Sequence, residues 1–283
     1  MRWSLGSYDI CFTNPFISTY FSLGQVLPTR RLAYSIHGGL FQPTMTQCIR
    51  LLSSGPFNPL PQYIAPGARS KHPPPLTDPF SEPNSDALRY TTNGHDSFPS
   101  PSAYQSRRHA WIHVFPEGKV HQADAYALRY FKWGVARLIL ESEPCPDVVP
   151  MWIEGTEDVM HQARPPPRWV PRPGARLSIT FGERVPLHVW EGFRERWRRL
   201  KQKVGAFGAG DVGVLESEEL RTGDEAVQLR IEVARAVRDE ILKLRRERGW
   251  TDQDPKAGAA ETYAKEGRRR TGLMDDGSWV GNT

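Results

Sequence analysis

Proline, glutamate and glycine in direct succession close the run Val114-Phe115-Pro116-Glu117-Gly118-Lys119. The residues before them, Trp111 to Phe115, are β-branched, aromatic or apolar, so the spacing predicts a strand that stops at a turn. A strand ending this way sets one carboxylate and an exposed stretch of backbone at the edge of a sheet, which is where α/β folds bind ligands. Standing alone, such a turn is also ordinary hairpin or loop chemistry. Other chemical signals are weaker. His109 and His113 are four apart, but on a strand that spacing separates them by roughly 13 Å, too far to share a metal ion. Gly208, Gly210 and Gly213 fit a GxGxxG spacing, yet a basic helical stretch precedes them where a nucleotide loop needs a strand. Cys11, Cys48 and Cys145 lie far apart and suggest neither a disulfide framework nor a zinc site. We therefore expect no metal and no cofactor.

Several elements must position the turn. From Arg2 to Ser53 the pattern is that of a packed α/β unit. Ile17, Tyr20 and Phe21 fall at helical spacing, Gly24 to Pro28 reads as a short strand, and Thr44 to Leu52 reads as a helix with Met45, Cys48, Ile49 and Leu52 as its apolar stripe. Ser54 to Arg107 holds eleven of the chain's 25 prolines and reads as a disordered insertion. Beyond the Pro-Glu-Gly turn we expect a helix over about Asp124 to Glu141, strands over Val148 to Ile153 and Leu177 to Phe181, and a proline-rich loop over Arg164 to Gly174. Strand, helix, strand in that order predicts a βαβ arrangement. Trp190, Phe193, Trp197, Leu200 and Val204 then form one helical stripe flanked by arginines and lysines, and residues 224 to 247 repeat the theme. The implied division is 1–53 and 108–186 for one α/β domain, 54–107 for the insertion, 187–250 for charged amphipathic helices and 251–283 for a disordered tail.

Charge narrows the partners. The formal net charge of +5 favours anionic surfaces, lipid or nucleic acid. The basic helix around Trp190 to Lys203 suits either, or packs its aromatic edge on its own domain while the charges are solvated. Residues 1 to 6 carry neither a signal peptide nor an Arg-rich presequence. Ile10 to Thr29 has no charged residue, but its Thr, Asn, Ser, Gly and Pro content is wrong for a membrane span, so a buried or interfacial segment is expected.

Five blocks occur in a telling order: Arg2-Trp3-Ser4-Leu5-Gly6; Phe21 to Leu27; Phe115 to Lys119; Phe131-Lys132-Trp133-Gly134 with Arg137-Leu138-Ile139; and Val149-Pro150-Met151-Trp152 with Gly155 and Asp158-Val159-Met160. Over residues 2 to 53 and 110 to 186 this resembles the tafazzin family of the glycerophospholipid acyltransferase superfamily. The resemblance implies a central mixed sheet flanked by helices, an acyltransferase-type domain with basic C-terminal helices, held on a mitochondrial membrane. It also implies movement of acyl chains between phospholipids and lysophospholipids, cardiolipin remodelling included, without coenzyme A. By that likeness Arg31, with Arg30 as a rival, faces the substrate phosphate, and Phe115, Pro116, Glu117 and Gly118 form the glycerol-binding turn. Glu117 there accepts a hydroxyl hydrogen bond. Pro150 shapes an acyl pocket, and Ile10, Phe12, Phe16, Ile17, Tyr20 and Phe21 face membrane or tunnel.

One departure matters. The superfamily's proton-transfer pair is a histidine with aspartate at the fifth residue after it, and none of the eight histidines here has that partner. The expected reading is therefore a domain lacking its N-terminal catalytic part and impaired in activity, with no catalytic residue assignable. The alternative is a peripheral membrane protein that binds glycerophospholipid without catalysis. Nucleic acid is not an expected partner.

Overall fold

Trp3 and Leu5 alternate with smaller residues through Arg2–Ser7, and this strand (β1) is the centre of a three-stranded sheet. The structure, a computed structural model, describes residues 2–31, 35, 38–53, 89–90, 98–99, 110–161, 165, 167, 170–206, 212–213, 215 and 217–263. After β1 come two helices, Tyr8–Cys11 (α1) and Pro15–Leu23 (α2). The Asn14 side chain caps α2 by accepting from the Ile17 amide at 3.0 Å, and Pro15 fits the first turn, where no amide is needed. The chain returns in Val26–Thr29 (β2), then enters Pro43–Leu52 (α3).

Both neighbours of β1 run parallel to it. Ser4 pairs with Val26 and Ser7 with Thr29 on one side, while Arg2 pairs with Trp111 and Ser4 with His113 on the other. The second neighbour is Trp111–His113 (β5). Three parallel strands send their C-terminal ends to one side, so the chain after Thr29 and the chain after His113 leave from the same edge. The short strands Arg89–Tyr90 (β3) and Phe98–Pro99 (β4) pair with each other. The rest of the expected 54–107 insertion lies outside the described residues.

Two expectations are corrected past β5. The helix over 124–141 is confined to Gly134–Glu141 (α4), preceded by a single 3-10 turn at Asp124–Tyr126. Helical periodicity loses here because tertiary partners take the backbone. The Arg129 amide donates to Glu117 Oε2 at 3.0 Å and the Lys132 amide to the Pro116 carbonyl at 2.8 Å, so neither closes a helical turn. The predicted βαβ unit does not form from these strands either. Met151–Glu154 (β6) pairs antiparallel with Ser178–Phe181 (β7), and the parallel crossovers are those between β1 and its neighbours. A short helix, Thr156–Val159 (α5), follows β6.

The C-terminal helices are His188–Lys203 (α6), Glu218–Thr222 (α7) and Asp224–Glu247 (α8). The aromatic stripe of α6 turns inward, with Trp190, Trp197 and Leu200 at most 1% exposed. They share one core with Leu229, Val233 and Val237 of α8, Ile139 and Leu140 of α4, and Trp152 of β6. A second core cluster under the sheet joins Trp3, Leu27, Met45, Cys48, Ile49 and Leu138. Order continues past residue 250 through 3-10 turns at Pro255–Gly258 and Ala260–Tyr263, where Tyr263 is buried. Residues 264–283 lie outside the described residues.

Several arginines are interior. Arg137 is buried beside Glu141 one turn on, with Nε to Oε1 at 2.6 Å, and also donates to the carbonyls of Leu40 (2.8 Å) and Gly213 (3.0 Å). Arg194, expected among the solvated charges of α6, is buried and donates to the Ile139 carbonyl while pairing with Glu143. Each guanidinium donates to backbone carbonyls, so the buried charge is hydrogen-bonded away from water.

Candidate functional site

A cavity of about 2090 Å³ opens at the C-terminal edge of the parallel sheet. Pockets that hold drug-sized ligands run to about 1,000 Å³, so the space suits something larger. Arg31, Phe115, Pro116, Glu117 and Gly118 all line it, as do Arg30 and Pro150. The shared exit of β2 and β5 is what brings them together.

On one wall, Arg31 is paired with Asp9 through two contacts, Nε to Oδ1 at 3.2 Å and a second from Nη2 to Oδ2. Burial works to raise the Asp9 pKa, but the Arg31 hydrogen bond, the Ser7 hydroxyl and the Arg31 charge outweigh it and hold the carboxyl below the usual range. The neighbouring Arg30 lies over the Tyr8 ring at 3.6 Å. The turn that carries both is strapped by Gln42: its Oε1 accepts from the Arg30 amide at 2.8 Å, and its Nε2 donates to the carbonyls of Arg30 (3.1 Å) and Gly39 (2.7 Å). Gly38 permits the close return, since a Cβ there would lie 2.5 Å from the Arg30 carbonyl oxygen. Thr44 Oγ1 adds a 2.7 Å bond to the Pro28 carbonyl.

Elsewhere in the lining the Pro-Glu-Gly segment is a closed turn. The Gly118 amide donates to the Phe115 carbonyl at 3.0 Å, and Gly118 adopts φ +61°, which a Cβ would oppose. Phe115 is exposed. Burial raises the Glu117 pKa, against the pull of the Arg129 N–H and of the Arg129 and Arg238 charges. Oε2 is held by Arg129, and Oε1 accepts no hydrogen bond from any described residue. Half of this carboxylate is therefore open to an incoming donor.

Sequence reasoning missed two features of the cleft. Gln42 gave no signal, since its role depends on two turns that only the fold brings together. His113 has glycine, not aspartate, at the fifth residue after it, yet it belongs to the cleft. It lines the cavity against the Phe115 ring, with centroids 4.5 Å apart, and its buried Nε2 has no partner among the described residues. Burial, then the nearby Arg2 charge, lowers its pKa, so the ring is neutral at pH 7. His109 lies outside the described residues, and among those described no cluster of three or more metal-ligating side chains occurs. Gly208 and Gly210 of the glycine trio also lie outside them.

Apolar residues, among them Leu128, Phe131, Val135, Val149 and Met151, contribute to the lining, and Ile179 and Phe181 of β7 leave one face of the β6–β7 ribbon more than half exposed. A lining that holds an arginine, a carboxylate and many apolar side chains accommodates an amphiphile.

The uncharged segment near the N-terminus divides. Phe12 is buried, whereas Ile10 (60%), Phe16 (83%), Tyr20 (69%) and Leu23 (81%) are exposed. Phe16, Tyr20 and Leu23 fall at positions i, i+4 and i+7 of α2, so they form a single stripe. No helix among the described residues is long and apolar enough to cross a membrane.

A parallel sheet flanked by helices, with this cleft at its C-terminal edge, is an α/β domain consistent with an acyltransferase type. No family model matches the chain. It is 33% identical over 264 residues to tafazzin of Saccharomyces cerevisiae, covering 90% of this chain and 61% of that protein. Tafazzin of Drosophila melanogaster is 28% identical over 188 residues, covering 66% of this chain and 33% of that protein. N-acylphosphatidylethanolamine synthase of Arabidopsis thaliana is 28% identical over 192 residues, covering 66% and 46%. The chain spans between a third and three fifths of the length of these curated relatives. Over 90% of its length the chain is similar to a tafazzin.

Proposed function

We propose that the chain carries the substrate cradle of a phospholipid–lysophospholipid acyltransferase that remodels acyl chains, those of cardiolipin among them, at a mitochondrial membrane surface. The observation that carries this reading is that Arg31 and Glu117 line one large cavity, each following a strand that flanks β1 in the parallel sheet. In it, Arg31 holds the lipid phosphate, with Asp9 setting its orientation, and a guanidinium fork matches two phosphate oxygens at once. Glu117 Oε1 accepts from a glycerol hydroxyl, and the apolar interior takes the chains. The names of the yeast and fly relatives support the family's chemistry for this chain.

Contact with the membrane falls to the α2 stripe in this reading. Uncharged, aromatic and exposed, it suits the headgroup boundary of a bilayer.

The test is acyl transfer by the purified chain from vesicle phospholipid to an isotope-labelled lysophospholipid, with lipid binding measured in parallel. Saturable binding that collapses in Arg31→Ala and Glu117→Ala is the expected result. Clear turnover insensitive to both substitutions would sink the site. A second reading, lipid binding without catalysis, is favoured because no histidine in these 283 residues has aspartate five positions on. It expects the same binding and no labelled product.

A further inference from the structure

Glu117 does not hold its own position. Its Oε2 rests on the Arg129 amide, and the peptide that carries this amide belongs to the loop between the Asp124–Tyr126 turn and α4. Ala125 and Tyr126 both take positive φ, 52° and 51°, where residues with a Cβ are rare and strained. Strain of this kind persists only when the surroundings impose it. Here they include the β6–α5 junction, which binds the Tyr126 hydroxyl, and helix α8 with the chain just beyond it. Arg238 Nε donates to the Arg129 carbonyl at 2.8 Å and its Nη2 to the Leu128 carbonyl at 2.9 Å. Arg245 Nη2 donates to the Ala125 carbonyl at 2.7 Å. Gln253 closes a two-way bond with Leu128, accepting from its amide at 2.7 Å and donating to its carbonyl at 2.8 Å. The Arg129 guanidinium in turn lies 3.7 Å over the Tyr263 ring.

We infer that Arg238 is a positioning residue for the substrate-binding turn: by bracketing the Leu128 and Arg129 carbonyls it aims the Arg129 N–H at Glu117 and so fixes the carboxylate that faces the cleft. Arg238 is not itself among the residues lining the cavity, although Val237 and Ile241 beside it on α8 are. The last long helix thus acts on the site through a peptide rather than through the ligand. The bracket needs a planar fork, because two carbonyls on successive residues are met by two nitrogens of one guanidinium. The inference rests on the reading above that Glu117 meets the substrate.

The charged groups acting on Glu117 are Arg129 from the loop and Arg238 from α8; Arg238 is itself influenced by Asp239 and Tyr263. Lys132 packs against Gly118 of the same turn. This defines the experiment. In the full chain, side-chain carboxyl resonances are titrated by carbon-13 NMR, with Glu117→Gln assigning the Glu117 signal. Binding to phosphatidylcholine vesicles doped with lysophosphatidylglycerol is measured alongside. In Arg238→Gln the Glu117 titration moves to higher pH and vesicle affinity falls by about tenfold, the scale of losing hydrogen bonds from a charged donor. Arg238→Lys keeps the charge without the fork, so the titration stays near wild type while affinity still falls. That split separates positioning from simple electrostatics, and the lysine variant carries the test if the glutamine variant fails to fold. Wild-type titration and affinity in both variants overturn the inference. If Glu117→Gln itself binds vesicles as well as wild type, the substrate role of Glu117 fails instead, and positioning is then decided by the Glu117 carboxyl chemical shift, which changes in Arg238→Lys as well as Arg238→Gln if α8 aims the Arg129 N–H at it and stays at wild type in Arg238→Lys if it does not.

Discussion

Glu117 is kept as a half-buried carboxylate at a cost, and the cost has a sign. Its folded pKa is raised by burial, so its stabilising share is whole below the usual glutamate range and drains as pH rises through the raised value. Glu117→Gln removes the charge yet leaves an oxygen to take the Arg129 amide. Urea unfolding at pH 7 should therefore show the variant at least as stable as wild type, with its advantage shrinking toward pH 4, while lysophospholipid binding is lost. Asp9 works the other way: its pKa is held down, chiefly by Arg31 against the effect of burial, so its contribution is present above the unfolded value and lost as pH falls. At Arg31, alanine should weaken binding of anionic lipid by about tenfold or more, with lysine recovering only part, as a point charge cannot reproduce a fork. Vesicle co-sedimentation checks both. At this scale the sequence was readable where local chemistry decides. The Pro-Glu-Gly turn is local and was visible; the Gln42 strap and the Arg129 cap are made across turns distant in sequence and left no trace in spacing.

Among the elements, α3, α6 and α8 could be read because each carries a continuous apolar stripe that packs as its periodicity demands. The 124–133 stretch misled because its periodicity was real but its amides were claimed elsewhere. Strand partners were also hidden, since alternation marks a strand without saying which neighbour it takes. The β6–α5 junction gives a sharp test. Gly155 sits at φ +86°, and a Cβ there would stand 2.1 Å from the Arg176 carbonyl oxygen. Both strain and clash oppose alanine, so Gly155→Ala should lose about 2 kcal/mol or more of unfolding free energy in a denaturant titration. Helix α2 predicts the opposite pattern. Its exposed stripe has nothing to lose in folding, so Phe16→Ser with Tyr20→Ser should leave the melting temperature within a degree or two while reducing vesicle partitioning by about tenfold.

Across the whole molecule, the buried Arg137–Glu141 pair joins parts far apart in sequence, because Arg137 also reaches the carbonyls of Leu40 and Gly213. Removing Glu141 alone strands a buried guanidinium, and Glu141→Ala should cost about 3–5 kcal/mol by calorimetry or urea. The β1–β5 pairing has a different bearing, on speed. It joins Arg2 to Trp111 across the whole 54–107 stretch, so the central sheet cannot close until two distant ends meet. Sequence separation of itself burdens equilibrium little, since closure entropy grows by only about 0.6 kcal/mol for each doubling in length of a flexible chain. Kinetics carry the penalty, since pairing across a long separation delays the rate-limiting encounter. Shortening the separation between Ser53 and Ala110 with a glycine-serine bridge should quicken refolding in stopped-flow fluorescence, with the nine tryptophans as reporters.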